Sequence, residues 1–495
     1  MAVTFRADPG AVMLITGDHL FYYYRCPRRP FLDAQGTAAH NPGESPLHEK
    51  LNRDHHDLRT QLLRDYAWQA PQADPQDWAA AHTQTLALMA QGVAAIHRGV
   101  LTLTPAPGIT YLGRPDLLVR RPGASRWGNW HYQAVDIRLG QRPKPEYQGV
   151  AAFHAWLLSE LQDTWPTTGL LWLPGPRSVR VRLADAVPAM HKTLVACTAI
   201  LQAEQAPEVF ISRSRCQLCP WLGDCSQVAQ AQQHLSLVPG VTALRYAELR
   251  QLGIATIPQL ASQSPHYLDH QTSFGLATVT RLVRQAQAIQ RGHALPLGPF
   301  PALPQEPVEL FFDIEAEPHL DCVYLHGVLV VKAGRPAFHG FLAPHPQGEG
   351  EVWQQFVDLV LTYPAAPIFH FCPFETQTIQ RLGDRYGTPR LKVQAILNRC
   401  VDLHAWVTRH VVLPVDNYSL KAIARWLGFR WRHPRADGAQ SIWWYNQWLS
   451  SQNPSYLEAL QVYNEDDCQA TYRLKTWLDD FHQATAQSPL QEESG

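Results

Sequence analysis

Hydrophobic positions along this chain change period several times, and each change marks a new element. In LHEKLNRDHHDLRTQLL, Leu51, His55, Leu58 and Leu62 fall at steps of four, three and four, which predicts a helix with His55 on its inner face. GITYLGRPDLLVRR and HYQAVDIRLG read as strands around a break at RPGASRWGNW, so a hairpin is expected with Asp116 and Asp136 on its two arms. PKPEYQGVAAFHAWLLSEL follows as a helix with Gln148 near its start. Leu244, Leu249 and Leu252 are expected to form one apolar helix face that Gly253 closes. ELFFDIEAEP reads as a strand, and PIFHFCPFETQTIQRL as a strand that gives way to a helix at Glu375. Leu420, Ile423, Ala424 and Leu427 keep a helical period, with Asn417 or Ser419 as the cap. VYNEDDCQATYRLKTWL closes the pattern as a helix.

A run of prolines, Pro296, Pro299, Pro301, Pro304 and Pro307, interrupts regular structure between the last two groups of elements. The chain therefore divides into blocks 1–235, 236–300 and 301–485, with a polar tail, QSPLQEESG, expected to fray. With 495 residues, 45% hydrophobic and 17% charged, there is material for several globular cores. The formal net charge of −1 excludes a global positive field, so any nucleic-acid contact must be local. Arg25, Arg28 and Arg29, and Arg425, Arg430, Arg432 and Arg435, are the local candidates, with a solvated face as the plain alternative. No run approaches the roughly 18 apolar residues of a membrane span. No export signal is seen, and nine cysteines make an odd number, so a cytoplasmic chain without disulfides is expected. Cys197, Cys322, Cys372, Cys400 and Cys468 are dispersed and read as small buried apolar residues.

The other four cysteines are placed differently. Cys26 stands alone, while Cys216, Cys219 and Cys225 bunch as Cys-x2-Cys-x5-Cys. Four thiolates can bind a metal that ties the front of the first block to its back. Between them, Asp116 and Asp136 could hold a divalent ion that activates water against a phosphodiester. On the pair alone, ordinary turn or edge aspartates are the favoured reading, and a lone His55 reads as a satisfied core histidine.

In order, the histidine helix, Asp116, Asp136-Ile137-Arg138, the glutamine helix and the cysteine cluster resemble the RecB-like branch of the PD-(D/E)XK nucleases, in particular the iron–sulfur members such as AddB and the CRISPR-associated RecB-like nucleases. The resemblance implies a four-iron–four-sulfur cluster on Cys26, Cys216, Cys219 and Cys225. It also implies metal ligation by His55, Asp116 and Asp136, and site roles for Arg138 and Gln148. A tetrahedral zinc site on the same thiolates is the competing reading. Two departures stand out. Arg138 replaces the family's lysine, keeping the charge but unable to shed a proton. Ala152 replaces the family's aromatic, with Phe153 one step on. Lys144 is a candidate to reach into the site in place of that lysine. The block is thus either a weak nuclease or a DNA-binding relic.

SLVPGVTALRYAELRQLGIATIPQLA resembles a helix-hairpin-helix module in which Gly240 allows a tight turn that can grip a DNA phosphate. Thr242 stands where a second glycine is usual, and a plain spacer is the alternative.

In the last block, Asp313 and Glu315 lie two apart on a strand and so point to one face. Tyr463 and Asp467 are four apart on a helix and share a face there. With Glu375 between them, the order resembles the DEDDy exonucleases of the DnaQ-like, RNase H-like fold, closest to the YprB-type domain. The resemblance implies that Asp313, Glu315, Glu375 and Asp467 hold Mg²⁺ or Mn²⁺ and that Tyr463 orients the attacking water. Glu375 replaces a more usual aspartate, and Asp466 is an alternative to Asp467. Two ions about 4 Å apart need carboxylates that converge from strand and helix. The expected whole is α/β. It comprises an N-terminal PD-(D/E)XK restriction-endonuclease-like domain, a helix-hairpin-helix middle and a C-terminal RNase H-like domain. The expected activity is a metal-dependent nuclease on DNA rather than RNA, with a non-catalytic scaffold or a ribonuclease as alternatives.

Overall fold

The computed structural model describes residues 12–35, 46–74, 76–175, 178–434 and 436–487. Arg435 and residues 488–495 of the polar tail lie outside them. The chain forms two compact units, Met1–Ser226 and Gln227–Gly495, both mixed α/β. No helix among the described residues is long and apolar enough to cross a membrane.

In the first unit a six-stranded sheet runs in the order Trp68–Gln69, Ala95–His97, Leu117–Ser125, Gly128–Ile137, Thr168–Trp172, Ser178–Arg182. The hairpin is longer than its prolines and glycines suggest, because Leu117–Ser125 and Gly128–Ile137 leave only Arg126 and Trp127 as the turn. Pro122 is tolerated there for a geometric reason. Arg120 still donates its N–H sideways to the Ala94 carbonyl, but the Ala95–His97 strand pairs only with Leu117–Val119. The N–H that Pro122 lacks would point to an open side. The expected single strand through Asp116 is in fact two. Ile109–Gly113 belongs to a separate three-stranded sheet, and Asp116 sits in the break before Leu117. Helix Pro145–Gln162 then crosses over to the parallel strand Thr168–Trp172, buried through Val150, Ala151, Ala152, Phe153, Leu157 and Leu158.

The second unit begins with short helices. Helix Ala243–Gln251 buries Tyr246 and Leu249, whereas Leu244 is 73% exposed. The predicted leucine face is therefore wrong in phase, since residues 246 and 249 share a side of a helix that residue 244 does not. Gly253, at φ 78, closes the turn as expected. Nor is the proline-rich stretch slack. Leu295–Pro296 pairs with Val411–Val412, and Phe300 packs against Trp406 and Phe481.

The main sheet of this unit runs in the order Arg335–Leu342, Cys322–Lys332, Val308–Glu317, Ile368–His370, Cys400–Asp402. Its first three strands are antiparallel, and the last two run parallel to Val308–Glu317. That central strand sorts its side chains by parity. Leu310, Phe312 and Ile314 face helix Glu349–Thr362 through Trp353, Phe356 and Val357. Phe311 faces the other way, into a cluster with Cys468, Leu474 and Leu478 of the long helix Ser455–Gln487. Asp313 and Glu315 share the parity of Phe311, so strand alternation alone delivers them to the long helix. Helix Leu420–Trp426 has Ser419 as its cap, whose hydroxyl accepts from the Ala422 N–H at 3.2 Å.

Candidate active site

Asp313, Glu315 and Asp467 each present a carboxylate oxygen within 4.8 Å of the others. Each carboxylate is held by neutral donors. The Asn464 amide donates to Asp313 Oδ2 at 2.7 Å. The Ser441 hydroxyl donates to Glu315 Oε2 at 2.6 Å and is backed by the Tyr324 hydroxyl at 2.5 Å. The Trp431 indole N–H donates to Asp467 Oδ1 at 2.7 Å, and the Tyr463 hydroxyl lies near that carboxylate. Asp466 turns away to Arg432, whose Nε donates to it at 2.8 Å. Of the two adjacent aspartates, only Asp467 joins the cluster.

Burial drives the electrostatics of this group. The Asp313 carboxyl is pushed well above its usual range by burial, then by the charges of Asp467, Glu315 and Glu375. Burial and then Asp467 push Glu315 up to about 8. Asp467 rises to about 6, again mainly by burial. Several carboxylates crowded away from water cannot all stay ionised without a nearby cation. Lys421 lies beside them, its ammonium 4.8 Å from the Tyr463 ring centroid and bonded to the Ala436 carbonyl.

Glu375 stands outside the 4.8 Å group. It opens helix Phe374–Arg385 and is buried, with Oε2 a long 3.5 Å from His370 Nδ1 and without a hydrogen-bond partner among the described residues. Three residues before it, Cys372 adopts φ 82, a backbone strain that side chains other than glycine rarely accept.

The N-terminal acids have different surroundings. Leu117 pairs with Val135, so Asp116 and Asp136 sit side by side at the next step of the ladder. Arg138 bridges them, at 3.3 Å to Asp116 and 3.0 Å to Asp136. Arg59 adds a second guanidinium on Asp116 at 2.9 Å. His154 Nδ1 lies 3.1 Å from both Asp136 oxygens, and its Nε2 accepts the Arg114 N–H, so Nδ1 carries the proton. Burial alone would raise the Asp136 carboxyl, but His154 and Arg138 together hold it below the usual range. His55 meets neither acid, and its Nε2 bonds the Ile137 carbonyl at 3.1 Å. Gln148 donates locally to the Pro143 carbonyl. The reach into the pair from that helix belongs to His154. Lys144 stands at the helix start with no side-chain capping bond, its ammonium 5.7 Å from the Tyr147 ring centroid.

Cys26, Cys216, Cys219 and Cys225 line one pocket together with Arg25, Arg28, Arg29 and Arg215. All four are half-buried and unbridged, and Cys216 Sγ accepts the Ser212 N–H at 3.3 Å. Burial pushes the Cys216 and Cys219 thiols up and takes Cys225 to about 11. Arg29 lies 3.4 Å over the Tyr22 ring and pairs with Asp33, which also accepts from the Trp221 indole. Among the later arginines, Arg425 donates to the Pro434 carbonyl and Arg432 pairs with Glu465 and Asp466.

Gly240 adopts φ 95 after Pro239, and its carbonyl accepts from Arg245 at 2.7 Å. Thr242, in the place of the expected second glycine, caps helix Ala243–Gln251.

Sequence reasoning passed over Arg59, His154, Lys421, Trp431, Ser441 and Asn464. Two of them carried a readable signal. His154 is a polar residue in an otherwise apolar helical run, and Asn464 lies three residues before Asp467, on its face.

Residues 310–479 match the RNase_H_2 family, which belongs to the RNase H superfamily. The C-terminal block is an RNase H-like domain. Such domains are nuclease-type phosphodiester hydrolases that use divalent metals on nucleic acid. No curated protein matches the chain.

Proposed function

We propose that this protein is a metal-dependent nuclease acting on DNA, single-stranded or from an end, in DNA repair or processing. Its catalyst is the site of Asp313, Glu315 and Asp467. What carries this reading is the convergence of three carboxylates, Glu315 and Asp467 buried and Asp313 half-buried, to within 4.8 Å with neutral hydrogen-bond donors on each. Such a donor set fits a hard divalent cation, Mg²⁺ or Mn²⁺. Asp313, Glu315 and Asp467 would hold one ion, and Glu375, with its unpartnered oxygen, would contribute to a second. When bound, such ions activate water and stabilise the leaving 3′ oxygen.

The chain's own groups position the reactants. Burial pushes the Tyr463 hydroxyl far above its ordinary range, so it keeps its proton and serves as a hydrogen-bond donor to the attacking water, not as a base. Lys421, beside the acids, offers a cation to the phosphate. The substrate is read as DNA because of the first block's resemblance to RecB-like nucleases. In that block Arg138 and Arg59 already supply the positive charge that a metal would bring, so we assign residues 1–235 to binding and not to cleavage. Its cysteines are read as ligands of a four-iron–four-sulfur cluster. A single tetrahedral zinc on the same four thiolates is the competing reading. The middle helices are read as a spacer that can touch phosphate near Gly240.

The test is digestion of labelled single-stranded DNA with Mn²⁺. Wild type and Asp116→Asn are expected to cleave, and Asp313→Ala to fall to background. Loss in Asp116→Asn with Asp313→Ala active moves the catalyst to the first block. Cleavage of RNA alone makes the protein a ribonuclease, and cleavage of neither polymer by wild type leaves a binding scaffold.

A further inference from the structure

Four acids on the strand Val308–Glu317 point to one face, and each is gripped by a side chain from a helix. Glu309 meets the ammonium of Lys475, Asp313 the amide of Asn464, Glu315 the hydroxyl of Ser441, and Glu317 the amide of Asn446. The acid whose charge is cancelled by a cation lies outside the metal-competent group, and the two acids within it have neutral partners.

At Asp313 the grip has a dedicated receptacle. Asn464 is fully buried; its Nδ2 donates to Asp313 Oδ2, and its Oδ1 has no hydrogen-bond partner among the described residues. That oxygen fits only because Gly327, which faces Asp313 in the strand register, has no side chain. A Cβ at Gly327 would lie 1.7 Å from Asn464 Oδ1. A buried acceptor without a partner and a glycine inside a central strand are both unfavourable. Together they secure one contact, an uncharged N–H donor on one oxygen of Asp313 that leaves the other oxygen open to a cation.

Resting on the reading of Asp313, Glu315 and Asp467 as a metal site, we propose that Asn464, with the space at Gly327, is the positioning residue that orients Asp313 and sets the site's affinity for a divalent cation. Asn464 touches neither substrate nor ion, and acts through the carboxylate it holds.

Mn²⁺ binding to the full-length protein without nucleic acid, followed by electron paramagnetic resonance, tests this. Asn464→Ala is expected to raise the Mn²⁺ dissociation constant about tenfold to a hundredfold, as loss of a partner behind a ligand does. A merely structural role would lower the melting temperature of the metal-free protein and leave Mn²⁺ affinity alone. Gly327→Ala alone should fold poorly, because its methyl meets Asn464 Oδ1. Adding Asn464→Ala removes that clash, so the double variant should regain the fold and bind Mn²⁺ as weakly as Asn464→Ala. If Asn464→Ala fails to fold, the double variant decides. Wild-type Mn²⁺ affinity in either folded variant overturns the proposal. Absence of Mn²⁺ binding in wild type, or affinity unchanged in Asp313→Asn, overturns instead the metal reading on which it rests.

Discussion

Asp136 and Glu315 are both buried carboxylates at the end of a strand, yet their neighbours shift them in opposite directions. Asp136 lies below the usual range beside His154 and Arg138, whereas Glu315 lies near 8 because burial and Asp467 outweigh the Ser441 hydroxyl and the Lys421 charge. Linkage turns these directions into stability. Glu315 binds its proton more tightly folded than unfolded, so metal-free protein is destabilised as pH rises from the usual carboxylate range to about 8. Asp136 does the reverse, adding stability above the usual range that is lost as pH falls through its lowered value. Each group contributes at most about 1.4 kcal/mol per pH unit. The melting temperature of metal-free protein should therefore decline from weakly acidic pH toward about 8. Glu315→Gln should flatten that decline, Mn²⁺ should reverse it, and Asp136→Asn should leave it unchanged. An alkaline decline that persists undiminished in Glu315→Gln would contradict the assignment.

Short-range spacing is what the sequence makes legible at the scale of elements. Asp313 and Glu315 two apart on a strand, and Tyr463 and Asp467 four apart on a helix, fall on shared faces whatever packs around them. Their partners Ser441 and Trp431 arrive from separate segments that only tertiary packing brings in, and Arg59 reaches Asp116 from a helix far upstream. Leucines alone give the wrong helix phase at Leu244, because the core takes Tyr246. On helix Pro145–Gln162 the residue that meets Asp136 is His154, on the fully buried stretch, and not Gln148 near the start. Helix Gly438–Ser451 shows what an end cap can do for a site. The Asp437 side chain accepts the Gln440 N–H at 2.9 Å, and Ser441 follows in the first turn. Asp437→Ala should cost about 1 kcal/mol in denaturant unfolding. It should also weaken Mn²⁺ binding, because a frayed first turn releases the hydroxyl on Glu315. Full stability loss with unaltered Mn²⁺ affinity would separate the cap from the site.

Across the whole molecule, the two acid clusters show how one residue type serves two ends. Guanidinium groups make the Asp116–Asp136 pair self-sufficient, while amide, hydroxyl and indole donors leave Asp313, Glu315 and Asp467 in need of a cation. The cysteine pocket belongs with the second kind. Burial raises the thiols of Cys216, Cys219 and Cys225, so holding these as thiolates requires either a bound metal or the arginines that surround them. Arginines alone would leave reactive thiols in the half-buried wall, open to oxidation or alkylation. A bound cluster would leave them inert and the protein brown. Purification without oxygen should give a coloured protein with about four irons and matching sulfide per chain, and Cys219→Ser should lose both colour and iron. The nuclease metal should behave differently. Brief treatment with a chelator should strip Mn²⁺ and activity while the colour persists, because carboxylates exchange hard ions that four thiolates retain. A colourless protein carrying one zinc per chain would replace the cluster with a single tetrahedral ion, leaving the catalytic reading of Asp313 intact.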